Sequence, residues 1–317
     1  MGKAFLKRLA LLVGTLLLVT ILAFVAFSII PGDPTSSILG MEATDEQIAT
    51  LRAQLGLDLP IWQRYWNWLT AFVTGDFGQS YQFKLPVSDL LRTRAEATLV
   101  LAGIAFALIV VISIPLGLLA ARRGGGVLDK ILDGVITVIT QITMSVPNFI
   151  VGIGLLFVFA LVLKWFRPEY VSLEDGLGAH LHYMLLPALA VALPKSAMTV
   201  KLLRGSILGE LGQDYIRTAY SKGNSRGSAM GRHVLRNAMI PVVTFLAMAI
   251  GDIMAGSIVV EQVFGIPGLG RMLIASINNQ DYPVVQAIVV FIASVVVLCN
   301  FLADLLYRVM DPRISGR

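Results

Sequence analysis

The feature that most constrains this chain is a series of long apolar blocks, each able to cross a bilayer as a helix. Residues 9–30 carry no charge at all. About 20 such residues, at 1.5 Å each, cover the roughly 30 Å hydrocarbon core. Five more blocks follow, at 99–121, 131–163, 183–200, 238–260 and 284–306. They lack the one-sided apolar stripe of a soluble helix. Composition agrees: 56% of residues are hydrophobic and 14% charged, against about 25% charged in soluble domains. The expected fold is an all-α polytopic membrane protein with six transmembrane helices. The third block is too long for one perpendicular crossing, and Pro147 divides it. It is either one broken crossing, its first half lying at the interface, or two crossings.

The charge count supports one crossing. With six spans, sixteen Lys and Arg fall on one side and eight on the other, although the second side holds more residues. Basic residues near span ends resist translocation, so both termini are expected to be cytoplasmic, in a multi-pass inner-membrane protein. Two crossings in the third block would move the basic segment 201–236 outside. The chain then divides into an N-terminal transmembrane helix (1–30), an extracytoplasmic insertion (31–98) and a five-helix core (99–317) with a polar inner loop at 201–237. The first span is read as uncleaved, since its apolar run is too long for a signal peptide.

The insertion has its own helical signals. Thr44 with Gln47 makes a capping box, and Ile48, Leu51 and Leu55 share the face that follows. Pro60 opens a second run with Trp62, Tyr65, Trp66, Trp68 and Phe72. Two arrangements suit it: a helix on the outer leaflet, where amphipathic aromatics gather, or a small packed cap with an aromatic core.

Several functions lack their residues. The net charge of +5 comes from basic residues that punctuate block ends, not from a basic face beside aromatics, so nucleic acid is not an expected partner. Cys299, the single cysteine, excludes an internal disulfide and a cysteine metal cluster. There is no phosphate-binding Gly-x-x-x-x-Gly-Lys-[Ser/Thr], no His-Glu-x-x-His and no Gly-x-Ser-x-Gly. Gly265, Gly268 and Gly270 lack the preceding strand of a dinucleotide site, and turn geometry explains them. His180 and His182, near Glu174 and Asp175, could ligate a metal, but neighbouring surface histidines more often bind nothing. The expectation is a chain without catalytic residues, metal or cofactor of its own.

The segment 201–237 is too polar to insert and too long for a simple turn. Asp214 is placed to cap a helix through Ser221, Lys222 suits its last turn, and Gly223 suits a left-handed stop. A second helix is expected from Ser225 to about Arg236, with Pro241 opening the next span. Such a basic helix pair could dock another protein or lie flat on anionic lipid.

Asp214-Tyr215-Ile216-Arg217-Thr218-Ala219-Tyr220-Ser221-Lys222-Gly223, followed by His233-Val234-Leu235-Arg236-Asn237-Ala238-Met239-Ile240-Pro241, closely resembles the "EAA" loop of bacterial ABC importer permeases. More narrowly it is similar to the dipeptide/oligopeptide/nickel permease family. The resemblance extends over nearly the whole chain through Pro31-Gly32-Asp33-Pro34, Gly75-Asp76-Phe77-Gly78-Gln79-Ser80, Glu261 to Gly270, Asp281-Tyr282-Pro283 and Asp311-Pro312-Arg313. It implies a type I importer fold and a complex with a homologous second permease, two ATPase subunits carrying ATP and Mg, and an extracytoplasmic solute-binding protein. Asp214, Tyr215, Ile216, Arg217, Thr218, Ala219, Lys222 and Gly223 would form the coupling helix, and Phe264, Pro267 and Gly268 an extracytoplasmic gate loop. Tyr220-Ser221 departs from the Arg-Ala usual in the family.

The substrate path should show polar groups inside apolar blocks, since a charge at a helix centre costs about 2.5–3.5 kcal/mol and turns to protein or water. Candidates are Gln141, Thr143, Ser145, Asn148 and, near mid-span, Asp252. Asp252 could meet a cationic group of substrate, or pair with Lys195 or the partner permease. Asn300 and Asp304 lie in the last block, Asp304 near its inner end. The rival reading is a stand-alone ion-coupled carrier or channel. It would transport unaided and commonly shows an internal repeat, which this sequence lacks. Among transported solutes, peptides lead, with nickel chelates, glutathione-like thiols and sugars as alternatives.

Overall fold

The computed structural model describes residues 2–29, 34–40, 43–121 and 126–310. Pro31, Gly32, Asp33, the Arg122-Arg123 pair and Asp311-Pro312-Arg313 lie outside these residues. Among the described residues the regular structure is helical, and the one strand-like pairing is an isolated bridge between Gln79 and Pro86. In chain order the helices are α1 (Gly2–Ile29), α2 (Pro34–Leu39), α3 (Asp45–Gln54), α4 (Ile61–Val73), α5 (Val87–Ala120), α6 (Val127–Ser145) and α7 (Asn148–Leu155), which continues as a π-helical turn to Val162. Then come α8 (Leu177–Leu211), α9 (Asp214–Ser221), α10 (Arg226–Ala229), α11 (Leu235–Phe264), α12 (Leu269–Asn278) and α13 (Tyr282–Met310).

Among the described residues, five helical stretches are long and apolar enough to cross a membrane: Arg8–Ser28, Val87–Ala120, Leu177–Leu211, Gly227–Phe264 and Tyr282–Leu305. Counted as one broken span, the divided block brings the number to six. Lys130–Ser145 and Asn148–Val162 meet at 105°, and each alone rises only about 22–24 Å. Proline explains the break. Val146 is extended, with φ −97° and ψ 126°, as expected of a residue preceding proline. Pro147 then starts α7 without needing an N–H.

Three boundaries differ from the sequence expectation, all for one reason: helices overrun the apolar blocks. α5 begins at Val87, inside the expected insertion 31–98 and ahead of the apolar block at 99. The fourth span continues through Leu211, so residues 201–211 belong to a helix and not to a loop. The helix expected at 225–236 is not separate. α10 passes through a π-helical turn (Met230–Val234) directly into α11, and Pro241 lies inside that helix. Membrane helices accommodate such prolines when neighbours re-satisfy the freed carbonyl.

The chain forms two compact units, residues 1–99 with 266–298 and residues 100–265 with 299–317. In the first, α4 turns one face to α1. Tyr65 and Trp68 pack on Phe24 at ring-centre distances of 5.5 and 5.6 Å, and Phe72 packs on Phe77 at 4.7 Å. Trp62 and Trp66, on the opposite face, are 64% and 56% exposed. The helix is thus both aromatic core and exposed aromatic surface. The capping box at Thr44 forms as expected, with both reciprocal bonds made.

The second unit is built around α8, which packs against α6, α7 and α11. Small residues permit the close approach. A Cβ on Gly117 would meet Leu203 Cδ2 at 2.7 Å, and one on Gly152 would meet the Phe264 ring at 3.1 Å.

Candidate functional site

Helix α9 is short, amphipathic and held at both ends. Its apolar side, Ile216 and Ala219, is buried, while Tyr215, Arg217, Thr218, Tyr220 and Lys222 are exposed. Gln213 occupies the N-cap position without a side-chain bond, so Asp214 is the first helical residue rather than the cap. Asp214 still places its charge at the positive helix end. The far end closes as a Schellman motif: Gly223 N–H donates to Tyr220 O at 2.9 Å and Asn224 N–H to Ala219 O at 3.2 Å. Gly223 has φ +86°, a conformation costing other L-residues about 1–2 kcal/mol.

Three polar residues fasten α9 to the neighbouring spans. The Tyr215 hydroxyl donates to the Glu210 carboxylate at the end of α8. The Asn237 amide, near the start of α11, donates to the Tyr215 oxygen at 3.0 Å and reaches Glu210 at 3.5 Å. Partial burial, and next the bond to Glu210, pushes the Tyr215 phenol above its ordinary value, so it remains a proton donor. Asn237 lies in the motif that carries the family resemblance, whereas Glu210 had no cue in the sequence beyond its polarity near a span end.

This fastening is the last of three polar ties between α8 and α11. Tyr183 donates its hydroxyl to the Phe264 carbonyl, Lys195 pairs with Asp252, and Glu210 meets Asn237. The steps of 12 and 15 residues along α8 are matched by 12 and 15 along α11. The two helices are therefore joined in one antiparallel register over about 40 Å. A separate forked pair joins α8 to α6, with Arg204 donating to both oxygens of Asp133 at 2.7 and 2.6 Å.

The residues picked from sequence as polar groups within spans separate into two sets. Asp252 forms an ion pair with Lys195, and their side chains are 58% and 24% exposed in this chain. Asn148 donates to the Gly256 carbonyl at 2.9 Å, tying α7 to α11 just past the bend. Gln141 and Ser145 lie exposed on α6, and the Ser145 hydroxyl bonds back to the Gln141 carbonyl; Thr143 bonds likewise to Ile139. Asn300 and Asp304 are exposed on α13.

In the 264–270 segment, Phe264 is buried, Gly265 closes α11 with φ +68°, and Gly268 opens α12 in an extended conformation. Pro267 between them is half-buried. The histidines have packing roles: buried His180 donates from Nδ1 to Val171 O at 2.7 Å, and His182 stacks on Phe166.

Two sequence motifs with no role assigned from sequence prove to be one joint. Asp281, fully buried, accepts from the Ser80 hydroxyl, from Tyr81 N–H at 2.9 Å and from Gln82 N–H at 3.3 Å. The Gly75–Ser80 turn is thereby locked to the start of α13.

Residues 113–316 match the family described as binding-protein-dependent transport system inner membrane component, and residues 1–102 match its N-terminal region. The chain is 37% identical to the oligopeptide transport system permease protein AppB of Bacillus subtilis, covering 99% of this chain and 100% of that one. It is 35% identical to a probable peptide ABC transporter permease of Sinorhizobium fredii, with 99% of each covered. It is also 38% identical to the glutathione transport system permease protein GsiC of Salmonella choleraesuis, over 98% and 97%. Among solved structures, an amino acid ABC transporter superposes with TM-score 0.50 at 17% identity, covering 71% of this chain and 94% of that one. That likeness concerns the fold alone.

Proposed function

This chain belongs to the family of binding-protein-dependent transport system inner membrane components, and on that premise we propose that it forms half of the translocation pathway of an ATP-driven importer for peptides or similar small solutes. Family membership makes it a multi-pass inner-membrane permease subunit. The remaining partners are a homologous second permease, two ATPase chains that bind ATP and Mg, and an extracytoplasmic solute-binding protein. Both termini lie in the cytoplasm. The peptide assignment follows the names of the AppB and Sinorhizobium relatives, and the Salmonella relative keeps glutathione-like thiols in the same class.

The observation that carries the mechanism is the bonding of α9 to the ends of α8 and α11 through Tyr215, Glu210 and Asn237. α9 offers its exposed face to an ATPase. A displacement of α9 acts directly on two spans that are themselves joined in register. Moving a two-state equilibrium from 1:99 to 99:1 takes about 5.5 kcal/mol, and closure of the ATP-loaded partners supplies it.

Asp252 and Lys195 favour a path along the same helix pair. A charge near mid-span avoids lipid, and Asp252 is largely uncovered within its own chain. We place that face, with Gln141, Ser145 and Asn148 near the α6–α7 bend, towards the second permease and the solute. Phe264, Pro267 and Gly268 form the gate at the opposite end of α11 from α9.

The test uses the assembled transporter with Arg217→Glu, which reverses an exposed charge on α9, and Gly223→Pro, which forbids the left-handed stop. Both variants are expected to insert and assemble, yet to lose most solute uptake and most substrate stimulation of ATP turnover. Normal coupled uptake in both would refute the reading.

A further inference from the structure

The first unit contains a cavity of about 540 Å³ between the end of α1, the aromatic helix α4 and the start of α13. Phe24, Phe27, Trp68 and Phe77 give it an aromatic wall, while Arg64, Asn67, Tyr282 and Gln286 contribute polar groups. Among the described residues no carboxylate lines it. Of its two cations, Arg52 pairs with Asp58 at 3.4 Å. Arg64 stands 5.9 Å from the Phe24 ring centre, and no ion-pair partner for it occurs among the described residues. The Tyr282 hydroxyl is buried without a hydrogen-bond partner.

A half-buried guanidinium with no ion-pair partner among the described residues, in a cavity also lined by a residue whose buried hydroxyl is unpartnered, is costly unless an occupant of the cavity satisfies them. Two donors, and no acid among the described lining residues, call for an anion. The depth of the cavity narrows the choice. The apolar stretch of α1 ends at Ser28, which lines the cavity with Phe27. Trp62 and Trp66 are exposed on the outer face of α4, as aromatics at headgroup level are. That depth matches the level at which a lipid's phosphate meets its first acyl carbons, and the lining sets the Arg64 guanidinium over the Phe24 ring of the aromatic wall.

We propose that this cavity binds the headgroup phosphate of an anionic phospholipid, with Arg64 as its ion-pairing group and the Tyr282 hydroxyl as a second donor. Arginine's planar fork suits phosphate oxygens, and the aromatic wall accepts the glycerol and the upper acyl chain. A free phosphate shares the charge chemistry but has no use for that wall. The bound lipid would brace α1 and α4 against α13.

The full-length protein in detergent micelles is titrated separately with phosphatidylglycerol, with phosphatidylcholine and with inorganic phosphate, reading its thermal unfolding midpoint. Phosphatidylglycerol should raise the midpoint well above the other two. Arg64→Gln should weaken that response by about tenfold in lipid concentration, the loss expected of one charge-assisted hydrogen bond. Arg64→Lys should restore part of it. Tyr282→Phe removes a single oxygen, preserves packing, and should weaken the response several-fold. An equal shift from inorganic phosphate overturns the lipid assignment. An undiminished phosphatidylglycerol response in both Arg64→Gln and Tyr282→Phe overturns the site. Neither result bears on α9, since no transport is measured.

Discussion

Asp281 shows how far single residues can be read. Its sequence neighbours Tyr282 and Pro283 mark a helix start, but its three donors lie about 200 positions earlier, in the turn after Gly78. No local pattern links the two, because the pairing exists only once both segments pack. The carboxylate is fully buried, and hydrogen bonds to a charged group contribute about 1.5–3 kcal/mol each. Asp281→Ala should therefore cost at least about 3 kcal/mol and lower the thermal midpoint in detergent sharply. Ser80→Ala, which removes one donor, should cost about 1–2 kcal/mol. Equal midpoints for wild type and Asp281→Ala would contradict this role. Asp252 was legible in a different way. A carboxylate in an apolar block announces itself, and Lys195 was its only basic candidate within the spans. What sequence left open, its partner, is decided within this chain by the register of α8 and α11.

Among the elements, those with local chemistry were the most legible. The Thr44 capping box, the Pro147 break and the Gly223 stop each depend on residues within a turn of one another, and each forms. Helix ends beyond the membrane were not legible. Hydropathy reports where lipid ends, whereas α5, α8 and α11 are held past that limit by packing and by ties such as Arg204 with Asp133. The α8–α11 register suggests a direct test. In an ion pair inside a membrane span, removing one partner leaves an uncompensated charge, while removing both is milder. Lys195→Met and Asp252→Leu singly should each destabilise the protein more than the two combined, read as thermal midpoints in a double-mutant cycle. Additive losses would mean that the pair does not join the helices.

At the scale of the whole molecule, the class of fold was plain from the apolar blocks alone, because a chain with this many uncharged runs has no soluble alternative. The family likeness rests on motifs spread along the full chain, and the matches at residues 1–102 and 113–316 cover it almost end to end. Interfaces with partner chains and the choice of solute leave no local pattern in one chain, because under the proposed function both are set by other polypeptides. The account nevertheless makes one claim about the entire machine, that energy reaches the spans from another polypeptide through α9. The most direct measurement is solute uptake into proteoliposomes holding either this chain alone or the full assembly, with and without ATP. Uptake should appear only with all partners and ATP present, and should fall when Tyr215→Phe loosens α9 from Glu210 and Asn237. Accumulation of solute by the chain alone, without nucleotide, would contradict it.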